Sequence, residues 1–363
     1  MSDPAPAAPA HDGVIRRPDE VTPEFLAGVL GVSVTGFTSA PVGTGQMGDS
    51  VRYRLDPVPD PSQAPASVVV KFAAADEASR ATGLALRGYE VEVRFYQEVA
   101  RTVGMRTPVC HHAAVDPATG WFTLVLEDLA PALQGDQIAG CSLDEAALAV
   151  AELAQLHAPR WGDPALGQLE WLDRNTSDAT AFTTVLVQSL WTGFADRYQD
   201  RLSTEELALG ERVVMSLGDI YDQQKNGPQT VVHGDFRLDN LMFGTEEGGA
   251  PIAVVDWQTC VRGPALTDVG YFLGAGLQPK ERAAVEVDLL RDYHARLIAG
   301  GVGGYGWDQL WQDYRGSTFA GLLMAIAASM IVERTPRGDD MFMAMATRHA
   351  AHIIDLEADR LLP

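Results

Sequence analysis

His233-Gly234-Asp235-Phe236-Arg237-Leu238-Asp239-Asn240 is the stretch of this sequence that decides the fold. Four residues separate Asp235 from Asn240, and two short strand-like segments around the turn GTEEGGAP lead from Asn240 to Asp256 in VVDWQ. A hairpin there brings Asn240 and Asp256 to the same end of adjacent strands, where both side chains can reach one cation. HGD by itself is also an ordinary strand-to-turn junction, so the information lies in the combined pattern.

The residue types in this pattern are those that phosphoryl transfer requires. The reaction needs a carboxylate beside the attacking hydroxyl and further oxygen ligands for magnesium on the nucleotide phosphates. A kinase catalytic loop supplies Asp, then Asn five positions on, then a metal-binding Asp after a hairpin. Asp235, Asn240 and Asp256 occur in that order.

The segments upstream of the loop predict a β-rich region. Thr22-Pro23 starts a short helix that stops at Gly31, and a longer helix is expected from about Ala85 to Val103. The strand-like segments around these helices are rich in β-branched or aromatic residues. They are VSVTGF (32–37), VRYRL (51–55), SVVVKF (67–72) and WFTLVLEDL (121–129).

The downstream half reads differently. LAPALQGDQIAG (129–140) has the Pro and Gly content of a connector, and beyond it the pattern is mainly helical, except for short strands within 229–256. This order predicts a two-lobed α+β protein, with a disordered tail at 1–15, a first lobe at 16–129 and a helical second lobe at 130–363. Ligands bind preferentially in clefts between such units.

Lys71 and Glu92 form a candidate pair in the first lobe. Lysine is scarce in this chain, and Lys71 ends the run SVVVK, where a nucleotide kinase places the lysine that holds the α and β phosphates. A strand lysine is also commonly a solvated edge charge. Helical periodicity puts Glu92 within an apolar stripe, where a carboxylate needs a partner, and Lys71 is the natural one. Glu90 is instead expected to pair with Arg94 at the surface.

Gly43-Thr44-Gly45-Gln46-Met47-Gly48 lies between two strand signals. Its G-x-G-x-x-G is therefore that of a phosphate-covering hairpin rather than of a Rossmann strand-to-helix turn. Glycine turns are common, so this motif is weak by itself.

Taken together, GTGQMG, VVVK, Glu92, LVLEDL, HGDFRLDN and VVDWQ resemble the aminoglycoside phosphotransferase superfamily, which also includes choline kinases and ecdysteroid-kinase-like proteins. The resemblance implies a protein-kinase-like fold, ATP and Mg²⁺ as cofactors, and a small-molecule hydroxyl as acceptor. It implies that Asp235 is the catalytic base or orients the hydroxyl, and that Asn240 and Asp256 bind magnesium.

For the nucleotide, the resemblance implies Lys71 and Glu92 as the phosphate-binding pair. Gly43, Gly45, Gln46 and Gly48 would cover the phosphates, and the backbone from Glu127 to Leu129 would hold adenine. The nine residues WQTCVRGPA that follow Asp256 are too few for an activation segment, so a protein substrate is not expected. Asp268 is expected to brace the catalytic loop, and His157 to be a hydrogen-bonded core histidine.

The composition of the chain argues against several classes of binding partner. The net charge of −22 over 363 residues repels nucleic acid and anionic membranes. The apolar run Phe319 to Val332 is too short to cross a bilayer and predicts a buried helix. Three widely spaced cysteines fit the reducing cytoplasm.

Two rival functions stay open from sequence. One is a kinase of the same fold whose acceptor is an apolar alcohol, a hydroxyacyl thioester or a natural-product intermediate. The other is a nucleotide-binding regulator without turnover, whose usual mark, a missing catalytic residue, is not present here.

Overall fold

The computed structural model describes residues 13–43, 48–57, 64–225 and 227–363. The chain separates into two compact units. Unit 1 takes in the described residues up to Glu98 together with Pro108–Asp128, and unit 2 consists of Val99–Thr107 and the described part of Leu129–Pro363. The predicted tail at 1–15 falls largely outside the described residues, although Ile15 exchanges hydrogen bonds of 2.6 and 2.8 Å with Thr123.

Unit 1 is built on an antiparallel sheet. Its strands lie in the order β1, β2, β3, β5, β4. Their bounds are β1 Phe37–Pro41, β2 Gly48–Leu55, β3 Ser67–Ala73, β4 Cys110–Val115 and β5 Phe122–Glu127. The expected strand at 32–37 is wrong, since β1 starts at its last residue. Phe37 pairs with Leu55, the final residue of β2, and the backbone pairing ends with the N–H of Asp56, which donates to the Gly36 carbonyl at 3.0 Å.

The first helix, α1, follows its sequence signals. It runs over Pro23–Leu30, where the Thr22 hydroxyl accepts the N–H of Phe25 at 3.1 Å and Gly31 adopts φ 68°. A side-chain oxygen caps an otherwise unbonded N–H, and glycine takes the left-handed conformation without a Cβ penalty.

The helix expected from Ala85 to Val103 is interrupted. Helix α2 covers Glu77–Ala85, and α3 covers Gly88–Arg94 before a π-type turn over Phe95–Val99 and a 3₁₀ turn over Ala100–Thr102. The break lies at Arg87, whose φ of 57° is left-handed and cannot continue an α-helix. The expected pairing of Glu90 with Arg94 is also wrong, because Glu90 binds Arg87 and Arg94 binds Glu98.

Unit 2 is mainly helical, as the sequence predicts. Its helices are α4 Leu143–His157, α5 Ser177–Tyr198, α6 Thr204–Met215, α7 Leu217–Gln224, α8 Leu266–Gly276, α9 Pro279–Ala299, α10 Trp307–Ser317, α11 Phe319–Ile331 and α12 Pro336–Asp355. Apolar side chains from α5, α6, α7, α8, α11 and α12 form one of its core clusters. The run that starts at Phe319 is the buried helix α11 that its composition indicates. Within the described residues, the chain has no helix with the length and apolar character needed to span a bilayer.

Two small β elements interrupt these helices. The predicted strands within 229–256 are present as β7 Gln229–Val232, β8 Leu241–Thr245 and β9 Gly248–Val254. Strands β8 and β9 form the expected hairpin, with Leu241 opposite Val254. Three of the described strands were not anticipated. They are β4 in unit 1, β6 Leu133–Gln134, which adds to β8 from within the connector, and β10 Val261–Pro264, which pairs with β7.

A buried histidine stands where three helices of unit 2 meet. His349 on α12 is fully buried, and a Cβ on Gly274 of α8 or Gly321 of α11 would overlap its ring. Neither ring nitrogen has a hydrogen-bond partner among the residues that the structure describes. Burial, and then the positive charges of His352, Arg282 and Arg348, hold the pKa of His349 well below its ordinary value.

This histidine predicts acid sensitivity. The folded protein keeps His349 neutral, whereas the unfolded chain binds a proton below about pH 6.5, so stability falls as the pH drops below that value. In urea unfolding, His349→Gln should reduce the loss of free energy of unfolding between pH 7.5 and pH 5.5 by about 1.4 kcal/mol. An equal loss in His349→Gln and the unsubstituted protein would contradict this account.

Candidate functional site

The catalytic loop of unit 2 is braced from beneath by a buried carboxylate. Asp268 on α8 accepts the backbone N–H groups of His233 at 2.7 Å and Gly234 at 2.9 Å, as expected for a bracing acid. Gly234 has φ 82°, and a Cβ there would come within 2.6 Å of the Thr259 carbonyl oxygen. His157 is buried and bonds the Tyr293 hydroxyl at 2.8 Å, so it is the core histidine that the sequence predicts. The turn that projects Asp235 is thus held in one backbone conformation.

Three donors hold the carboxylate of Asp235. The Arg237 Nε–H lies 3.1 Å from Oδ1 and 3.0 Å from Oδ2. The Tyr271 hydroxyl donates to Oδ1 at 2.6 Å, and Asn240 Nδ2 donates to Oδ2 at 2.9 Å. Burial, together with the charge of Asp235, raises the pKa of Tyr271 far above its ordinary value, so its hydroxyl stays a donor. The side chain of Asp235 remains 20% exposed and can be reached from solvent.

Asn240 and Asp256 lie at the same end of the β8–β9 hairpin. The N–H of Val255 donates to the Asn240 carbonyl at 3.0 Å, which continues the strand pairing up to these two residues. The Asn240 amide group gives its Nδ2 to both the carboxylate and the backbone oxygen of Asp235. Its Oδ1 accepts no hydrogen bond from a described residue, so the amide is oriented with its oxygen available to a cation.

Asp256 itself has φ 65°, in the left-handed region. Strained backbone of this kind is characteristic of functional sites and costs about 1–3 kcal/mol. No group of three or more His, Cys, Asp or Glu side chains is arranged to hold a metal in the described ranges. Mg²⁺ commonly binds through one or two protein ligands and substrate phosphates, so Asn240 and Asp256 are a donor set that fits it.

An ion network continues from Asp235. Arg237 Nη1 donates to Asp239 at 2.5 Å, and Arg337 on α12 approaches the two Asp239 oxygens at 3.4 and 3.3 Å. Burial opposes the charge of Arg237, but the carboxylates of Asp235 and Asp239 outweigh it and hold the pKa of the guanidinium above its ordinary value. Burial likewise raises the pKa of Asp239, yet Arg237 and the N–H of Gln137 bring it below its ordinary value.

The connector also holds the loop. Gln137 donates its backbone N–H to Asp239 at 3.0 Å, and its side-chain oxygen accepts the N–H of Leu238 at 2.9 Å. Arg348 of α12 in turn bonds the carbonyls of Gln137 and Ile138 at 3.0 and 2.7 Å. Sequence reasoning missed Tyr271 and Gln137, since nothing in their local pattern points to Asp235 or Asp239. Arg237 stood within the motif itself and could have been singled out.

In unit 1 the predicted ion pair is present. Lys71 Nζ lies 2.6 and 2.8 Å from the two oxygens of Glu92. Glu92 is fully buried on α3, and Lys71 on β3 is 14% exposed. Both carboxylate oxygens contact one ammonium, which fixes where the charged end of a flexible lysine lies.

The other predicted nucleotide contacts are only partly described. Strands β1 and β2, on either side of the glycine motif, pair antiparallel, and the motif's residues 44–47 lie outside the described part of the chain. Gly43 has φ 78° and Gly48 begins β2, whereas Gly45 and Gln46 lie outside the described residues. Of the connector backbone, Glu127 donates its N–H to Val109 at 2.8 Å and the carbonyl of Leu129 accepts from Ala132 at 2.9 Å.

Tyr271→Phe tests how tightly Asp235 must be held. Without the hydroxyl, Oδ1 of Asp235 loses its 2.6 Å donor, and the carboxylate can rotate out of its present position. Small misplacements of a reacting group cost up to about 100-fold, so we expect turnover to fall about 10- to 100-fold on the prediction that Asp235 is the reacting carboxylate. Tyr198→Phe removes a similarly buried hydroxyl that donates to Asp339 and serves as the control. Full activity in Tyr271→Phe would show that this hydrogen bond is dispensable.

Comparison with known proteins gives a family for most of the chain. A model described as the phosphotransferase enzyme family (APH) matches residues 64–311. The 4-hydroxytryptamine kinase of Psilocybe cubensis is 37% identical over 60 residues, which are 15% of this chain and 17% of that protein. Acyl-CoA dehydrogenase family member 10 of Mus musculus is 50% identical over 42 residues, 12% of this chain and 4% of that protein. The matched segments therefore span less than a fifth of each relative.

Solved structures share the fold. A protein from Ralstonia eutropha JMP134, provisionally assigned as an aminoglycoside phosphotransferase, aligns over 91% of this chain and 95% of its own, with 16% identity and a TM-score of 0.53. Choline kinase from Cryptosporidium parvum Iowa II aligns over 90% of each chain, with 9% identity and a TM-score of 0.52. The predicted protein-kinase-like α+β fold and the predicted superfamily are both confirmed.

Proposed function

Because this chain belongs to the phosphotransferase enzyme family, we propose that it transfers the γ-phosphoryl group of ATP, with Mg²⁺, to a hydroxyl group of a small molecule. The family makes it a small-molecule phosphotransferase. The nucleotide, the metal and the hydroxyl acceptor are the parts that we propose.

One observation carries the proposal. Asn240 bonds both the carboxylate and the backbone oxygen of Asp235, and the paired strands β8 and β9 bring Asp256 next to Asn240. This arrangement supports an assignment in which Asp235 aligns a hydroxyl, while Asn240 and Asp256 serve as oxygen ligands for magnesium on nucleotide phosphates.

The residues then have separate tasks. In unit 2, Asp235 orients the acceptor hydroxyl for in-line attack and can take its proton, while Asn240 and Asp256 hold the metal. When bound, Mg²⁺ neutralises the charge of the β and γ phosphates. In unit 1, Lys71 holds the α and β phosphates, and Glu92 orients Lys71. The backbone of Gly43, Gly45, Gln46 and Gly48 covers the phosphates, and Glu127 to Leu129 hold the adenine.

The test is a transfer assay with ATP and Mg²⁺ over a panel of cationic amino sugars, neutral alcohols and hydroxy acids. A phosphorylated product that depends on Mg²⁺ and is lost in Asp235→Asn would support the proposal. If the protein binds Mg²⁺–ATP but transfers phosphate to none of these acceptors, nor to further acceptors added to the panel, the proposed phosphotransferase activity is refuted. A nucleotide-binding regulator of the same fold then replaces it.

We also propose a cytoplasmic location. Cys110, Cys141 and Cys260 are all free thiols, and burial raises the pKa of Cys141 to about 12 and that of Cys260 well above its ordinary value. Free thiols persist in a reducing compartment.

A further inference from the structure

The guanidinium of Arg237 lies next to Asp235 and leaves one nitrogen, Nη2, available to a ligand. Its Nε–H is used by Asp235, and its Nη1 donates to Asp239 and contacts the Met341 sulfur at 3.2 Å. Its Nη2 makes no hydrogen bond to any residue that the structure describes, and the side chain is 20% exposed. A guanidinium has five N–H donors in a rigid plane: one N–H of Nη2 runs parallel to Nε–H, on the side that faces Asp235, and the other lies on the terminal edge beside Nη1.

This donor is held in place before any ligand arrives. Asp235 and Asp239 fix the plane of Arg237 from two sides, and Asp239 is itself fixed by Gln137 and Arg337. A ligand group that bonds Nη2 therefore pays little of the entropy of ordering a long side chain. The guanidinium stays cationic, so it favours carboxylate or phosphate oxygens over neutral ones.

We propose that Arg237 Nη2 binds an anionic group of the acceptor, and that the acceptor is a hydroxy acid or another alcohol with a carboxylate close to the phosphorylated hydroxyl. This inference rests on the proposed function. Because Arg237 Nε lies within 3.1 Å of both Asp235 oxygens, a hydroxyl at Asp235 and an anion at Nη2 belong to one small molecule. Arg237 is then a determinant of specificity in addition to holding Asp235.

The experiment compares matched acceptors. Short hydroxy acids, with the hydroxyl two to five atoms from the carboxylate, are each assayed beside their own amides, in which the anion is replaced by a neutral group. We expect kcat/KM to be at least about tenfold higher for the acids, because a charge-assisted hydrogen bond from one nitrogen contributes about that much. The matching acids that lack the hydroxyl should inhibit competitively against the acceptor. This inhibition is measured with the unsubstituted protein and requires no variant.

Substitutions then assign the preference to the residue. Arg237→Gln should raise the acceptor KM for the acids and abolish the preference, while the KM for ATP stays constant. Arg237→Lys keeps the charge and should retain part of the preference. Arg334→Gln, which removes an exposed arginine paired with Asp339, is the matched control and should keep it in full.

The results distinguish failure of anion binding by Arg237 from failure of the proposed function. Transfer with equal or greater efficiency to the amides, or a preference that survives in Arg237→Gln, overturns the inference and leaves the proposed function intact. A rise in the KM for ATP in Arg237→Gln, with the acceptor KM unchanged, assigns Nη2 to the nucleotide and overturns it too. No transfer to either member of any pair counts against the proposed function, and the inference falls with it.

Discussion

Asp235→Asn should lower turnover by about 10²- to 10⁴-fold, the range that a positioned general base contributes, while ATP binding stays close to that of the unsubstituted protein. The amide has nearly the same shape as the carboxylate but cannot take a proton. The amide also replaces one acceptor oxygen by an NH₂ group, which would then face hydrogen-bond donors. These donors are Tyr271 and Arg237 at the Oδ1 position, or Asn240 and Arg237 at the Oδ2 position. The measurement is kcat with the best acceptor of the panel, together with calorimetric binding of Mg²⁺–ATP.

Two controls accompany this variant. Asp292→Asn makes the same chemical change at an exposed carboxylate of α9 that pairs with Arg296, and it should leave turnover unchanged. Thermal unfolding of Asp235→Asn shows whether the loop still folds. Turnover in a folded Asp235→Asn close to that of the unsubstituted protein would remove Asp235 from the mechanism.

Removal of the Asp256 carboxylate should abolish the magnesium dependence of nucleotide binding. Groups that merely orient a metal ligand contribute about 10- to 100-fold to affinity, so we expect loss of the ligand itself to cost at least as much. The affinity for ATP in the presence of EDTA should not change, because Asp256 is not proposed to touch the nucleotide directly. The measurement is the Kd for ATP with and without Mg²⁺.

The left-handed backbone at Asp256 requires a pair of variants. Alanine at φ 65° adds strain of about 1–2 kcal/mol, whereas glycine adopts this conformation freely. Asp256→Ala and Asp256→Gly both remove the carboxylate, so both should lose the magnesium effect if Asp256 is a ligand. If the magnesium dependence of ATP binding is lost in Asp256→Ala but kept in Asp256→Gly, backbone strain and not loss of a metal ligand explains the effect.

Local patterns predicted those parts of the protein that depend on neighbours in sequence. Thr22, Pro23 and Gly31 bound α1 because capping involves residues three or four positions apart. The β8–β9 hairpin and the position of Glu92 on a buried helical face follow in the same way from short periodicities. The errors are also local: a left-handed Arg87 ends a helical pattern that its residue types would have allowed to continue.

What the sequence by itself determined is the order and spacing of the chemical groups: Lys71 and Glu92 in one unit, and Asp235, Asn240 and Asp256 in the other. The tertiary structure decided which groups surround them. Tyr271 reaches Asp235 from 36 positions away, Gln137 bonds Leu238 across 101, and Arg337 approaches Asp239 across 98. Such contacts depend on how helices and connector pack in three dimensions, and packing leaves no periodic signal in a single sequence.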